Sequence, residues 1–360
     1  MISYMKHPKS FSLVIIFLLL TVVLYIYICV RSPSISNPLL SCQESILRPS
    51  IFNVRKFQVN DEFGLVLEEA SMANKTLIIT IVNKAYVEQS VNAETTMLDL
   101  FLESFWLGED TRPLLDHLLF VTVDQTAYER CKFKRLHCYR LMTDGVDFSR
   151  ENVYMSPKYV KMVWRKTLLL LDVLKRGYSF IFTDTDILWL RNPFAKLSRD
   201  QTVDLQISLD SSSDDPARPE DNLVNTGFFF IRSNNKTISL VDTWYSQKDI
   251  NPTGKHDQHV MRDLMHSGLF NQLGLQVRFL DTRHFSGFCE DSHDVAAVTT
   301  MHANCCRFMK AKFSELTKVL REWKQFKATV TEHPEVAGDI TRGFKWSTHT
   351  ECENSWKQRY

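Results

Sequence analysis

An apolar run from Phe180 to Leu190 is interrupted by two carboxylates, Asp184 and Asp186. The run predicts a buried β-strand, and in an extended strand residues two apart point to the same face. A buried carboxylate without a counter-charge is costly or becomes protonated, so the pair needs a cation. Open α/β sheets bind ligands at the carboxyl ends of their strands. The sequence therefore predicts a divalent-cation site in a cleft; the alternative is a structural cluster of ion-paired carboxylates.

Residues 11–30 carry no charged side chain and, at roughly 1.5 Å per residue, span a hydrocarbon core of roughly 30 Å. Two lysines and a histidine precede this stretch, whereas a single arginine follows it directly. The positive-inside rule then predicts a cytosolic tail at 1–10, a transmembrane signal anchor at 11–30 and the remaining chain on the other side of the membrane. A cleaved signal peptide is the alternative, but aromatic residues and a cysteine stand where its small-residue cleavage site would lie.

Beyond the anchor, residues 31–72 are predicted to be a stem because prolines and serines are scattered through them. A folded domain at 73–330 and a C-terminal extension at 331–360 follow. Alternation of strand and helix patterns predicts a mixed, mostly parallel α/β sheet with helices on both faces. The polar segment 210–222 is either a ligand-ordered lid or a surface loop. The predicted strands are 76–82, 118–123, 203–209, 226–231, 276–280 and 296–301, besides the strand of the two aspartates, and the predicted helices are 93–107, 126–136, 157–175, 237–245, 257–266 and 312–327.

Composition and cysteine count limit the partners and the compartment. The chain has 43 basic and 42 acidic residues, so it lacks the basic excess of a nucleic-acid-binding protein. With Cys29 in the anchor, an odd number of cysteines remains, so at least one is free or forms a disulfide with another chain. The chain could therefore belong to an oligomer, either disulfide-linked or non-covalent. Adjacent Cys305 and Cys306 are not expected to bond to each other; their candidate partners are Cys131, Cys138, Cys289 and Cys352. The sequence contains no Cys-x-x-Cys pair, so a zinc site is not indicated. Glycosylation sequons at Asn74 and Asn235 fit a lumenal domain.

His302 is the candidate third ligand of the cation. The pattern from Val298 to His302 places the imidazole at the end of a late strand, and strand ends converge on one crevice in such sheets. A packing or surface histidine is the alternative. Oxygen ligands favour Mn²⁺ or Mg²⁺, and one imidazole shifts the preference towards Mn²⁺. Such a cation suits a phosphate-bearing ligand, because it offsets the charge that develops on a departing diphosphate.

Four sequence blocks together resemble the nucleotide-diphospho-sugar transferases of glycosyltransferase family 77, over roughly residues 73–310. The blocks are 182–194, 225–229, 256–258 and 301–305. The resemblance implies a GT-A type fold and a type II Golgi membrane protein whose catalytic domain is lumenal. It also implies a divalent metal, a UDP-sugar donor and retention of anomeric configuration. Similar plant proteins move a pentose such as xylose or arabinose to a cell-wall polysaccharide or a glycoprotein.

The resemblance also assigns roles to residues. Asp184, Thr185 and Asp186 would hold the metal and the diphosphate, with His302 as the late histidine of the family and Gly227 beside the donor. The residues implied near the donor sugar and its reacting carbon are Asn225, Asp257 and Gln258; those implied around the nucleotide and its phosphates are Thr80, Val82, Asn83 and Lys166.

For three of these residues a structural role is an open alternative. Asn225 could be a turn residue, Asp257 could cap a helix, and Lys166 could be a solvated surface lysine.

Two other functions compete with glycosyl transfer. Haloacid-dehalogenase-type phosphatases also end an apolar strand in Asp-x-Asp, but that motif opens their domain and continues with Thr or Val where this chain has Leu188. A catalytically inactive Golgi sugar-binding protein is the non-enzyme alternative. The presence of both aspartates and His302 argues against it.

Overall fold

The computed structural model describes residues 20–21, 61–88, 95–213, 218–250, 255–336, 338, 341 and 343–357. Most of the predicted anchor and stem therefore lies outside the described residues. Among the described residues, no helix is both long enough and apolar enough to cross a membrane. The anchor at 11–30 stays a prediction.

A seven-stranded sheet forms the centre of the folded unit, with strand order β3-β2-β1-β4-β7-β6-β8. Four of its pairings are parallel, and the two pairings of β7, with β4 and with β6, are antiparallel. The mixed α/β sheet expected of a GT-A type fold is therefore confirmed. The strands are β1 (Thr76–Val82), β2 (Leu118–Thr122), β3 (His137–Arg140), β4 (Ser179–Thr183), β6 (Leu205–Ser211), β7 (Leu223–Ile231) and β8 (Val277–Phe279).

A second, three-stranded sheet lies beyond the end of β4. It contains β5 (Ile187–Trp189), β10 (Thr300–His302) and β9 (Phe285–Gly287), in the order β5-β10-β9. Strands β10 and β5 are antiparallel, and their register sets His302 opposite Ile187. The late strand is thereby fixed beside the residues that follow β4.

Helices cover both faces of the large sheet, and alternate residues of each strand face opposite sides. Leu77 and Ile79 of β1 belong to one apolar cluster, whereas Ile78 belongs to another. The helices are α1 (Glu62–Ala70), α2 (Lys84–Val87), α3 (Met97–Leu107), α4 (Gln125–Phe133), α5 (Pro157–Lys175), α6 (Asn235–Ile250), α7 (Asp257–His266), α8 (Leu269–Gln272), α9 (Met309–Glu332) and α10 (Thr350–Ser355).

Three expectations from the sequence need correction. Helix α1 lies in the segment predicted as stem, but Phe63, Leu67 and Ala70 are buried in the main core, so the folded part begins before residue 73. Strands β3 and β9 were not predicted, because each is too short to show periodicity. The strand predicted at 296–301 is confined to 300–302.

Three disulfides link the cysteines of the folded unit. They join Cys131 to Cys138, Cys289 to Cys305, and Cys306 to Cys352. The predicted partners of Cys305 and Cys306 thus include the correct ones. The last bridge fastens α10 to the loop that follows His302. The C-terminal extension is therefore attached to the segment that carries a predicted metal ligand.

Candidate active site

The two aspartates lie in a turn and not on a continuous strand. Strand β4 ends at Thr183, β5 begins at Ile187, and the turn between them contains Asp184, Thr185 and Asp186. The Thr185 hydroxyl donates to the carbonyl of Ile81 at the end of β1. The prediction that both carboxylates sit at the carboxyl end of a buried strand is right. The prediction that extended-strand alternation aligns them is wrong, because the turn does so.

His302 joins the two aspartates through the small sheet. The amide of Ala303 donates to the carbonyl of Asp186 at 3.0 Å, and the His302 Nε2 atom lies 3.5 Å from Asp186 Oδ1. One ligand atom from each of Asp184, Asp186 and His302 lies within 4.8 Å of the others. The structure therefore brings together the three residues that the sequence analysis proposed as metal ligands.

Gly227 leaves the space in front of these side chains open. A Cβ atom added there would lie 2.6 Å from His302 Cε1 and 2.7 Å from Asp184 Oδ2. The Gly227 carbonyl also accepts from the amide of Asp184 at 2.7 Å, so the backbone of β7 lies directly against the turn. A side chain at this position would displace the carboxylate or the imidazole.

Lys312 is a basic residue of this site that the sequence analysis missed. It lies in the first turn of α9, and its Nζ donates to Asp186 Oδ2 at 2.6 Å. Burial alone would raise the pKa of Asp186, but Lys312 and His302 outweigh it and lower that pKa. Burial raises the pKa of Asp184, the charge on Asp186 raises it further, and Lys166 opposes the shift. The two carboxylates thus have different proton affinities, as expected for a close pair.

The donor atoms fit a hard or borderline divalent cation. Two carboxylates and one imidazole are an oxygen-rich set, and Gly227 keeps the space before them free of a side chain. None of the three ligands is a thiolate, which would favour zinc or iron–sulfur centres. The three residues therefore form a group that suits a divalent metal ion.

A cleft runs from this acidic turn to the end of β1. Its walls include Val82, Asn83, Lys166, Asp184 and Lys312, and three tyrosines, Tyr86, Tyr154 and Tyr159, also line it. Burial, with Asp186 and Asp184 nearby, raises the pKa of Tyr86 well above its ordinary value, so this phenol stays protonated. The cleft therefore combines carboxylates, ammonium groups and neutral phenols.

Asn83 presents an unused acceptor at the β1 end of the cleft. Its Nδ2 donates to the carbonyls of Phe148 and Arg150, at 2.7 and 2.9 Å, which fixes the orientation of the amide. Its Oδ1 is buried, and the described residues offer it no hydrogen-bond donor. A ligand N–H or O–H group would satisfy it. Thr80, by contrast, is fully buried and contacts the Thr185 hydroxyl, so it supports the turn.

Lys166 and Asp257 form a buried ion pair. Lys166 Nζ lies 2.6 Å from Asp257 Oδ2, and both side chains are almost fully buried. Burial would raise the pKa of Asp257, but Lys166 outweighs it and lowers the pKa. The N-cap of α7 is His256 and not Asp257, which is the first helical residue. Lys166 reaches the cleft, whereas Asp257 lies behind it and holds the ammonium group in place.

Asp210 organises the amides that the sequence analysis placed near the donor sugar. Its Oδ1 accepts from Asn225 at 2.7 Å and from Asn304 at 2.8 Å, and its Oδ2 accepts from Gln258 at 2.8 Å. Asn225 in turn accepts from the amide of Gly227. Asn225 lies within strand β7, so it is not the turn residue that the sequence also allowed. The side chains of Asn225 and Gln258 are held by one carboxylate that the sequence analysis did not identify.

The two missed residues, Lys312 and Asp210, gave weak signals in the sequence. Lys312 sits at the start of a predicted helix that contains several other lysines, and Asp210 begins the polar loop predicted after β6. Neither position shows from the sequence which strand end it approaches. Their contacts are long-range: Lys312 bonds to Asp186 across 126 residues, and Asp210 bonds to Asn304 across 94 residues.

Comparison with known proteins agrees with this geometry. The profile of a family described as nucleotide-diphospho-sugar transferase matches residues 113–316. An uncharacterized protein of Arabidopsis thaliana is 52% identical over 302 residues, 83% of this chain and 86% of the relative. UDP-galactose:fucoside alpha-3-galactosyltransferase of Dictyostelium discoideum is 42% identical over 76 residues, 21% of this chain and 12% of that protein. Arabinosyltransferase RRA1 of Arabidopsis thaliana is 25% identical over 200 residues, 51% of this chain and 46% of that protein.

The profile match covers the acidic turn, the late histidine and Lys312, and so includes the residues that converge in the structure. It favours glycosyl transfer over the phosphatase alternative. This chain belongs to the nucleotide-diphospho-sugar transferase family and is a glycosyltransferase.

Proposed function

We propose that the chain transfers a pentose, arabinose or xylose, from a UDP-sugar to a cell-wall polysaccharide or glycoprotein, with retention of anomeric configuration. The observation that carries the proposal is the convergence of Asp184, Asp186 and His302 against Gly227 at one end of the cleft. The choice of a pentose rests on the family resemblance and on the similarity to a protein named as an arabinosyltransferase.

Asp184, Asp186 and His302 would hold Mn²⁺ or Mg²⁺, which when bound supplies Lewis-acid stabilisation of a diphosphate leaving group. Lys312 adds an ammonium group at Asp186, where it can pair with phosphate oxygens. Lys166, held by Asp257, supplies a second ammonium group to the same cleft. Together with the bound cation, these ammonium groups would offset the negative charge of a nucleotide diphosphate.

The other groups fit the two ends of a nucleotide sugar. Asn83 and Val82 line the β1 end of the cleft, where a base or ribose would lie. Asn225 and Gln258, both held by Asp210, present amides beside Gly227 at the acidic end. Amides fixed in this way can orient sugar hydroxyl groups without reorganisation.

A donor panel tests this proposal. The purified folded domain would be incubated with Mn²⁺ and, in separate reactions, UDP-arabinofuranose, UDP-xylose and UDP-galactose, and released UDP would be measured. We expect a pentose donor to give the fastest release, even with water as acceptor. Faster release from UDP-galactose would overturn the choice of a pentose. Absence of release from every donor would favour the sugar-binding alternative.

Retention of configuration and the place of the enzyme need separate experiments. Proton NMR of the first product should show the same anomeric configuration as the donor sugar, and an inverted product would contradict this part of the proposal.

We also propose a single-pass type II Golgi protein anchored by residues 11–30. A fluorescent fusion of the full chain should co-migrate with Golgi membranes, and its C-terminus should be protected from added protease. Cleavage of the C-terminus by protease in intact vesicles would contradict the proposed topology.

A further inference from the structure

Trp356 is a large exposed aromatic residue near the C-terminus, outside the segment that matches the family profile. Its side chain is 49% exposed, and its indole Nε1 donates to the carbonyl of Cys305 at 2.7 Å. Cys305 is bridged to Cys289, and its neighbour Cys306 is bridged to Cys352 in α10. The hydrogen bond and the two disulfides fix the indole beside the loop that follows His302.

Tyr154 connects Trp356 to the active-site cleft. The two rings meet edge to face with centroids 5.9 Å apart, and the Tyr154 hydroxyl lies 3.0 Å from His256 Nε2. Tyr154 lines the cleft of Asp184 and Asp186 on one side. It also lines a neighbouring open cavity formed by the segment 150–158 together with Arg307.

The cavity and the cleft are neighbours and share part of their lining. Glu151, Asn152, Tyr154 and Arg307 line both. Glu151 also accepts from the amide of Met309, which ties the segment 150–158 to the start of α9. A ligand in the open cavity would therefore contact Tyr154, which lines both pockets, and would lie beside the active-site cleft.

The chemistry of this wall suits a saccharide. Tryptophan and tyrosine offer a flat apolar face beside a polar edge, which matches the apolar faces and hydroxyl rims of sugar rings. The indole is oriented before any ligand arrives, because its N–H group is already bonded to the backbone. Arg307 and Asn152 supply polar groups within the same wall.

We propose that the cavity beside segment 150–158 is the subsite for a saccharide acceptor, with Tyr154 as its aromatic lining residue and Trp356 packed edge to face against Tyr154. This inference rests on the proposed glycosyl transfer. In transfer, the acceptor hydroxyl oxygen forms a bond to the anomeric carbon of the donor. The bond from that carbon to the diphosphate breaks, and the hydroxyl proton passes to the departing diphosphate.

An array of cell-wall oligosaccharides tests the subsite. Arabinan, xylan, galactan and homogalacturonan fragments would be probed with the folded domain in the presence of UDP and Mn²⁺. We expect wild type to bind at least one class, and Trp356→Ala to weaken that binding roughly tenfold or more, as for loss of an aromatic anchor. Trp356→Phe keeps an aromatic face without the N–H donor, and should stay within about threefold of wild type.

Trp106→Ala is the matched control, because Trp106 is 56% exposed on α3 and its ring packs against Arg112, whereas the ring of Trp356 packs against Tyr154. Its saccharide binding should equal that of wild type. Equal binding by Trp356→Ala and wild type, or no saccharide binding by wild type, would overturn the subsite. Donor hydrolysis without saccharide is measured in parallel for wild type and should persist in Trp106→Ala. Loss of hydrolysis in wild type would contradict the proposed function instead.

Discussion

The two ends of the substrate-binding region are built differently. At the acidic end, the turn after β4, strand β7 and strand β10 bring Asp184, Gly227 and His302 together within a buried framework. At the other end, Tyr154, in the irregular segment before α5, meets the exposed side chain of Trp356. The first end depends on strand ends and backbone register. The second depends on loops and disulfides.

The difference separates a general chemical requirement from a specific one. Handling a diphosphate needs a fixed cation site, and strand ends of a rigid sheet position such groups accurately. Choosing an acceptor needs a surface that varies between relatives, and loops carry such surfaces. Substitutions at the acidic end should therefore abolish turnover. Substitutions at the aromatic end should change which saccharide is used.

The largest effect is expected from Asp186→Asn. The substitution keeps the shape of the side chain but removes the charge that faces His302 and Lys312. UDP release should fall by roughly 10³-fold, because several kcal/mol of leaving-group stabilisation are lost. Asp242→Asn, at an exposed position on α6, is the control and should keep full activity. Activity of Asp186→Asn within about threefold of wild type would remove the distinction between the two ends.

Gly227→Ala should have the next largest effect. The added methyl group would lie within 3 Å of His302 and Asp184, so one of the two must move. We expect UDP release to fall roughly 100-fold, with stability reduced by about 1–3 kcal/mol from overpacking. Gly343→Ala is the control, because an added Cβ there meets no atom within 4 Å. Steady-state kinetics and thermal unfolding of both variants check this; an unaffected Gly227→Ala enzyme would show that the close approach is unimportant.

Lys312→Met should have a moderate effect. The change removes the ammonium group bonded to Asp186 but keeps the length of the side chain. The KM for the UDP-sugar should rise roughly tenfold, the scale of one charge-assisted hydrogen bond. Lys310→Met alters an exposed lysine in the same helical turn and should leave KM unchanged. If both variants behave alike, Lys312 is a structural partner of Asp186 and does not contact the donor.

The two disulfides Cys306–Cys352 and Cys131–Cys138 should contribute different amounts to the free energy of unfolding. The Cys306–Cys352 bridge closes a separation of 46 residues, whereas Cys131–Cys138 closes only 7. On loop-entropy grounds, replacing both cysteines by serine should cost about 4 kcal/mol at the first bridge and roughly 2 kcal/mol at the second. Urea unfolding of the two double variants measures the difference. A larger loss of unfolding free energy at Cys131–Cys138 would contradict the expectation that the Cys306–Cys352 disulfide contributes more to stability.

The acidic end was largely predictable from the sequence. The apolar run around Asp184 and Asp186 indicates a buried strand end, and His302 closes another strand pattern, so the rule of converging strand ends places them together. The turn geometry was not predictable, because a single strand spanning Phe180 to Leu190 has the same apolar pattern as two strands joined by a turn.

The aromatic end was not predictable for a physical reason. The last thirty residues show no periodicity, and Trp356, which contacts Tyr154, directly follows a helix that the Cys306–Cys352 disulfide fastens to the loop after His302. Cysteine spacing allowed several pairings, so the contact could not be derived. Lys312 and Asp210 were missed because each makes its contacts with residues far away in the sequence.

The most direct test of the account is Mn²⁺ binding to the folded domain, followed by electron paramagnetic resonance in the presence of UDP. Free Mn²⁺ gives a strong six-line signal that weakens when the ion binds protein. We predict saturable binding by wild type, and an affinity lower by roughly 10- to 100-fold or more in Asp186→Asn. Equal Mn²⁺ binding by the two proteins would contradict the claim that Asp184, Asp186 and His302 form the metal site of this glycosyltransferase.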